Sequence, residues 1–300
     1  ENDMRRILSY SIVNQVGFMV CGIGIGTELA LNGAAAHAFA HIIYKGLLFM
    51  SAGAVLYQTG ERKCSNLGGL FRTMPVTTIC GTIGALAISA FPLTSGFISK
   101  SMINSSAAAE HLAFVWFALV AASAGVFLHA GIKFPWFVFF QKDSGLRPAD
   151  PPWNMQAAMV LFSVLCVGLG MFPGLLYALL PYPVDYVPYT ADHVVTQLQL
   201  LLFAGLAFFV MLPMMRRTLT ISLDVDWVYR RALPWLVGVL DTAINRVREA
   251  ATRAVLTVSA NTVQLIREKP YGYFSSRSPM GQTAIWMAVL LAVVILLAIV

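Results

Sequence analysis

Charge is what this 300-residue sequence has least of. Asp, Glu, Lys and Arg make up 11% of it, against about 25% in an ordinary globular chain. Hydrophobic residues fill 58% and the mean hydropathy is +0.73. A soluble protein of this length still exposes roughly a quarter of the surface its unfolded chain has, so a chain this apolar excludes a soluble enzyme or binding domain. The lipid bilayer is the solvent that fits.

Cysteine is scarce as well. Cys21, Cys64, Cys80 and Cys166 lie far apart, and without a C-x-x-C pair they read as small apolar side chains, not as a zinc, iron–sulfur or disulfide framework. There is no phosphate loop and no flavin site. Gly22-Ile-Gly-Ile-Gly26 has no strand before it and is not a dinucleotide fingerprint. The expectation is therefore no cofactor and no redox site in this chain, with any redox chemistry left to partner subunits. The first residues, Glu1-Asn2-Asp3-Met4-Arg5-Arg6, form no signal peptide and lack an initiator Met, which predicts a chain that begins inside a longer protein.

What the sequence does have is long apolar runs. Stretches 7–27, 34–57, 75–103, 110–140, 155–180, 195–215 and 283–300 each offer about 20 residues able to cross a bilayer. Only helices and closed barrels satisfy their backbone in lipid, and these runs are too long and too continuously apolar for barrel strands. The predicted fold is all-α: a polytopic helix bundle over 1–215, a segment 216–280 of different character, and a last membrane helix over 281–300.

The basic residues test this division, because cytoplasmic loops collect Lys and Arg. They fall in alternate connections: Arg5 and Arg6, then Arg62, Lys63 and Arg72, then Lys142 and Arg147, then ten between 216 and 280. The net charge of +6 is thus placed by topology and does not form a nucleic-acid patch. The alternation puts these connections in the cytoplasm, the Asp185–Asp192 loop outside, and the whole chain in the plasma (inner) membrane.

Three lysines, Lys45, Lys100 and Lys133, fall inside spans, where each costs about 2.5–3.5 kcal/mol even on the lenient insertion scale. Lys45 sits mid-span, and half a bilayer, on the order of 15 Å, is far to snorkel. His37 and His41 precede it at i, i+4, i+8, so one helical face bears three titratable groups. A metal site would set a cation one turn from an ammonium with no carboxylate near in sequence. Histidines hydrogen-bonded between packed helices are the plainer alternative. A hydrated proton path accounts for all three residues together, since histidine changes charge near neutral pH.

Span 75–103 is too long: 29 residues of helix rise about 44 Å against a core of about 30 Å. Pro92, followed by Thr94, Ser95 and Gly96, predicts a broken helix, and Lys100 lies two turns beyond it. An interfacial Lys at a helix end is the competing reading. His129 and Lys133 also share a face at i, i+4, just before Pro135. Lys133 is nearer the cytoplasmic edge and within snorkelling reach.

Four runs carry a resemblance: Asp3-Met-Arg-Arg-Ile-Leu-Ser-Tyr-Ser-Ile-Val-Asn-Gln-Val-Gly17, His37-Ala-Phe-Ala-His-Ile-Ile-Tyr-Lys-Gly-Leu-Leu-Phe49, Leu67-Gly-Gly-Leu70 and Phe91-Pro-Leu-Thr-Ser-Gly-Phe-Ile-Ser-Lys100. In order and spacing they resemble the antiporter-like proton-translocating subunits shared by respiratory complex I, membrane-bound hydrogenases and Mrp-type cation/proton antiporters. Within that family, the run 127–145 is most similar to the D-type component of the Mrp antiporters. The resemblance implies that Lys45 is the central lysine of the proton path, His37 and His41 its relay, and Lys100 the terminal lysine of the broken helix, all in the second of two inverted half-channels. His129 and Lys133 join this set as weaker candidates. It also implies partner membrane subunits of a hetero-oligomeric complex and a coupled ion, Na⁺ in the antiporters. The first half-channel, with its membrane Glu, is not in this chain, and the spans hold no Asp or Glu at depth.

Within 216–280, apolar residues recur at Leu233, Val237, Leu240, Ile244, Val247, Ala251, Ala254, Val258 and Leu265, with Asp241, Arg246, Arg248, Glu249 and Arg253 off that stripe. Pro234 suits a first turn and Pro270 follows the end. The pattern predicts an amphipathic helix over 234–268 lying along the cytoplasmic face; a short anchor helix with a kinked linker is the alternative. The functional expectation is a proton-translocating subunit of a multisubunit Na⁺/H⁺ antiporter. Its alternatives are a proton-pumping subunit of complex I or a hydrogenase and, in another class, an inactive scaffold fragment.

Overall fold

The computed structural model describes residues 1–215, 227–268, 283 and 285–292. The chain divides into two compact units, Glu1–Thr218 and Leu219–Val300.

In the first unit α1 (Met4–Ile25) starts at Asp3, whose carboxylate accepts from the Arg5 and Arg6 amides, and stops at Gly26, which takes φ +79°. That left-handed residue costs glycine nothing and lets the chain reverse at once into α2 (Glu28–Thr59), capped by the Thr27 side chain. At 32 residues, α2 rises about 48 Å and is the central post, packed against α1, α3 (Pro75–Ile88), α4 (Ser95–Ala109) and α6 (Trp153–Met171). A long helix, α5 (Ala113–Phe140), a single turn α7 (Pro173–Tyr177) and α8 (Ala191–Met211) complete the unit.

Five described helices, α1, α2, α5, α6 and α8 (in α8 continuing through Met214), are long and apolar enough to cross a membrane. The expected span over 75–103 is the pair α3 and α4. Each rises only about 21–23 Å, so neither crosses alone. The break carries Ala90 at φ 55° and Leu93 at φ 68° on either side of Pro92. It is held tight by Gly96, where a Cβ would run into the Ala87 carbonyl. The expected span 155–180 is shorter than its apolar run: α6 ends at Met171, because Pro173 has no N–H to continue the ladder. Around Pro135, α5 opens into π-helical turns at Phe127–Ile132 and Trp136–Phe140, a usual way of absorbing a missing donor. Of the last expected span only residue 283 and helical 285–292 are described; the remainder lies outside the described residues.

Polarity is distributed inside out. Buried positions include Ser11, Gln15, Asn32, His37, Lys45, Ser51, Thr77, Ser89, Ser99 and Lys100, while Val13, Val20, Phe114, Leu161, Leu202 and Val210 are exposed. In water that arrangement would be costly. In lipid it is the expected one: apolar side chains meet the acyl chains, and polar ones pair between helices. The chain is a multi-pass membrane protein. At one end of the bundle, Asp150 reaches the first turn of α3 and accepts from the Val76 and Thr77 amides and the Thr77 hydroxyl at 3.1, 3.1 and 2.8 Å. Gln141 there donates to the Cys64 and Leu67 carbonyls.

The second unit is dominated by α9 (Leu233–Glu268), preceded by a widened turn at Val228–Ala232. Leu233, Val237, Leu240, Ile244, Val247 and Val258 of its apolar stripe are all exposed. Glu249 and Arg253 pair at 3.8 Å off that stripe.

Candidate functional site

Helical spacing puts His37, His41 and Lys45 on one face of α2, and packing decides what that face meets. Lys45 is 5% exposed and donates to the Leu8 carbonyl at 2.7 Å and to the Ser11 hydroxyl, both on α1. His129 on α5 lies 3.2 Å from the adjacent carbonyl, that of Ile7. Two consecutive α1 carbonyls thus receive Lys45 and His129, which brings the weaker candidate of α5 beside the central lysine. Lys133, one turn on, is only half-buried.

Lys100 is 2% exposed. Its ammonium donates to the Ile88 carbonyl at 2.8 Å. In an unbroken helix that carbonyl would accept from residue 92, but Pro92 has no N–H. The proline that breaks the span therefore also frees the acceptor that holds the lysine, at the negative end of α3 where a cation is favoured by about 0.3–2 kcal/mol. The next carbonyl, Ser89, accepts from Gln197 of α8 at 3.0 Å.

Between the lysines lie the histidines. The His37 and His41 rings stack at 6.4 Å. His37 is fully buried, with Nδ1 2.9 Å from Ser99 Oγ and Nε2 3.4 Å from Tyr44 Oη. Tyr44 spends its own hydrogen on Gln15 Oε1 at 2.7 Å, so toward His37 its oxygen accepts, and Nε2 carries a hydrogen. Ser99 has one hydrogen and a choice of acceptors: His37 Nδ1, or the Ser95 and Gly96 carbonyls at 3.3 Å. A neutral His37 takes that hydrogen. A protonated His37 donates instead, and the hydroxyl turns to the carbonyls. The ring can gain or lose a proton with one hydroxyl rotating. His41 Nε2 is buried with no hydrogen-bond partner among the described residues, a costly state for a polar atom. Among those residues no Asp or Glu is buried.

Phe18 closes the row, its ring 5.8 Å from that of His37 and 4.9 Å from Lys100 Nζ. Helix α2 thus carries Lys45, His41 and His37 in a row on one face, and the His37–Ser99 contact brings that row to α4, which carries Lys100. The structure adds Ser11, Gln15, Phe18, Tyr44 and Ser99, which sequence reasoning missed. Ser11 and Gln15 stand at i, i+4 in an apolar run, and Tyr44 and Ser99 each directly precede a membrane lysine. Those were the signals available. Beside Lys100 opens a cavity of about 600 Å³, bordered also by Asn104, Asp192, His193 and Gln197.

Residues 1–125 match the model of the family described as NADH:quinone oxidoreductase/Mrp antiporter, transmembrane. These residues belong to that family. The matched stretch contains every link from Ser11 to Lys100, and α5 enters the family region with its first turns. Among curated relatives, the chain is 45% identical over 98 residues to the D component of the Na⁺/H⁺ antiporter of Alkalihalophilus pseudofirmus, covering 33% of this chain and 20% of that protein. It is 31% identical over 180 residues to the A/B component of a probable K⁺/H⁺ antiporter of Rhizobium meliloti, covering 58% and 18%. The chain therefore spans about a fifth of the length of these relatives. In fold it is similar to a chain of the membrane-bound sulfane sulfur reductase, an archaeal respiratory membrane complex, with a TM-score of 0.58 at 21% identity over 98% of this chain and 52% of that one.

Proposed function

We propose that this chain is the second half-channel of a proton-translocating subunit in a multisubunit Na⁺/H⁺ antiporter. Lys45 and Lys100 hold the proton in turn, His37 and His41 relay between them, and His129 and Lys133 feed Lys45 from the cytoplasmic side. The observation that carries this reading is the His37–Ser99 contact, which joins the lysine-bearing face of α2 to the lysine of α4 through a ring able to reverse its hydrogen bonds. The 45% identity to the D component of a Na⁺/H⁺ antiporter supports the antiporter reading, and the 42% identity over 100 residues to the N component of an NADH-quinone oxidoreductase keeps a redox-driven pump as its alternative. Residues 1–215 form the translocation bundle, 281–300 the last membrane helix, and α9 of 216–280 lies along the cytoplasmic membrane face against other subunits. The complex sits in the inner membrane and exchanges protons for Na⁺.

The test is proton uptake driven by a Na⁺ gradient in vesicles holding the full-length complex, with assembly followed on native gels. Lys45→Ala and Lys100→Ala should abolish uptake with assembly intact. The Arg variants should fail as well, because Arg keeps its proton at any accessible pH. Normal transport by both Arg variants would exclude proton cycling at these lysines. Normal transport by both Ala variants would make the chain a scaffold.

A further inference from the structure

We propose that His193 is the proton acceptor through which Lys100 exchanges protons with the side of the membrane that carries the 178–190 connection. The inference rests on the proton-holding role of Lys100 given above and extends it to a residue outside the family-matched stretch.

Lys100 and His193 border the same cavity of about 600 Å³, which has room for a continuous file of water at about 30 Å³ per molecule. Its lining is mixed: Phe97 and Phe203 supply apolar wall, and Asn104, Asp192 and Gln197 supply polar groups. Asn104 Oδ1 is buried there without a partner among the described residues. His193 is fixed from several directions. Its amide donates to Thr190 Oγ1 at 3.2 Å, its ring stacks on Tyr186 at 5.9 Å between centroids, and Nδ1 lies 3.2 Å from the Pro188 carbonyl.

That carbonyl can only accept, so Nδ1 carries the hydrogen and Nε2 keeps its lone pair. Nε2 faces Ser105 Oγ at 3.3 Å, and Ser105 Oγ in turn lies 2.9 Å from Tyr186 Oη. Hydrogens then run from Tyr186 to Ser105 to the His193 lone pair. Ser105 is on α4, five residues beyond Lys100, so the basic nitrogen of His193 is tied to the helix that carries the donor.

The step balances as a plain proton transfer. An N–H bond of the Lys100 ammonium breaks, water in the cavity carries the proton to Ser105 Oγ, which also borders that cavity, and the hydrogen Ser105 already directs at His193 Nε2 crosses to form the new N–H bond there. Neutral amine and imidazolium result, and the imidazolium passes its proton to the medium. Tyr186 is the titratable group in contact with the ring, and Asp192 and Lys100 border the same cavity. Gln197, by holding the Ser89 carbonyl next to the one that holds Lys100, keeps α8 and the broken end of α3 in register.

The experiment uses vesicles containing the whole complex. His193→Ala should slow proton uptake on the order of 100-fold, the lower end of what a positioned acid or base supplies, with assembly unchanged. Imidazole added on the loop side should restore much of the rate, because the cavity admits it and a purely structural role would not respond. His193→Asn, which keeps an amide donor for Pro188 but cannot titrate, should assemble and stay slow. A restored rate in the Asn variant, or a wild-type rate in the Ala variant while Lys100→Ala is dead, overturns the inference and leaves the proposed function standing. Wild-type rates in both His193→Ala and Lys100→Ala overturn the proposed function itself. Thr196→Cys gives an independent reading: an impermeant thiol reagent should reach it from the loop side, and modification from the opposite side only would overturn the outlet.

Discussion

Phe18 presents its ring to Lys100 at 4.9 Å while remaining 1% exposed. Buried from solvent, a cation over an aromatic face gains about 0.5–2 kcal/mol, and on this path the aromatic ring contributes to holding the ammonium where carboxylates are absent from the described interior. Phe18→Leu keeps most of the volume and removes that attraction, so transport should change by roughly 2- to 30-fold, with Phe18→Tyr close to wild type. Proton uptake in vesicles is the measurement, and identical rates for Leu and Phe would remove Phe18 from the path.

Ser99 is the hinge of the His37 hydrogen-bond switch. Ser99→Ala leaves a buried ring nitrogen without its partner, a cost of about 1–3 kcal/mol, equivalent to a slowing of roughly 5- to 150-fold if it falls on the rate-limiting transfer. Ser99→Thr, which restores the hydroxyl, should recover most of the activity. An Ala variant as fast as wild type would show that His37 does not pass its proton through this contact.

Asp150 holds the start of α3 through three hydrogen bonds. A side-chain cap of this kind contributes about 0.5–2 kcal/mol. Asp150→Ala should therefore lower the thermal midpoint of the detergent-solubilised complex while sparing the path residues, with Asp150→Asn in between. A loss of transport without a loss of stability would contradict this role.

The Asp143–Arg147 pair in the connection after α5 gives a prediction in pH. Hydrogen bonds from Arg147, with one from the Gly145 amide, hold the Asp143 carboxyl down to about 2. Its folded value lies below the unfolded one, so its contribution is complete above about pH 4 and disappears only as the pH falls through 2. Amide exchange at Gly145 should be equally protected, after correction for the intrinsic rate, from about pH 5 to 8, and Asp143→Ala, which removes the acceptor of the Gly145 amide, should lose that protection throughout. A titration of the wild-type protection near neutral pH would refute the pairing.

Sidedness follows from the alternating basic connections. On intact cells an impermeant thiol reagent should modify Val187→Cys and leave Lys142→Cys untouched; the reverse pattern would invert the bundle.

How much of this was legible beforehand depended on whether the information was local. The spans follow from uninterrupted apolar runs, and the break between α3 and α4 from Pro92, because a missing N–H acts wherever the proline sits. Pro173 carries the same local signal, yet an apolar count over 155–180 overrode it. The membrane lysines stood out by cost alone. Their partners did not: Ser11, Tyr44 and Ser99 matter only because α1, α2 and α4 face one another at those levels, and a serine in an apolar run is cheap enough to sit anywhere. His193 was hidden for a related reason, lying at the edge of the 195–215 run, where a histidine reads as part of a loop.

The broken helix also bears on how such a protein is made. Ser95-Gly-Phe-Ile-Ser-Lys-Ser-Met-Ile-Asn-Ser-Ser-Ala-Ala-Ala109 is 15 residues long, where a lone spanning helix needs about 20, and its central lysine alone costs about 2.5–3.5 kcal/mol on the insertion scale. Read by itself during synthesis, α4 is a poor candidate to leave water. Its burial depends on α2, against which it packs, on α1, whose Phe18 ring lies over the ammonium, and on α3, whose freed carbonyl receives it. Helices that emerge earlier must therefore wait, assembled, to draw α4 in, and the order of emergence from the ribosome, α2 then α3 then α4, supplies each acceptor before its donor.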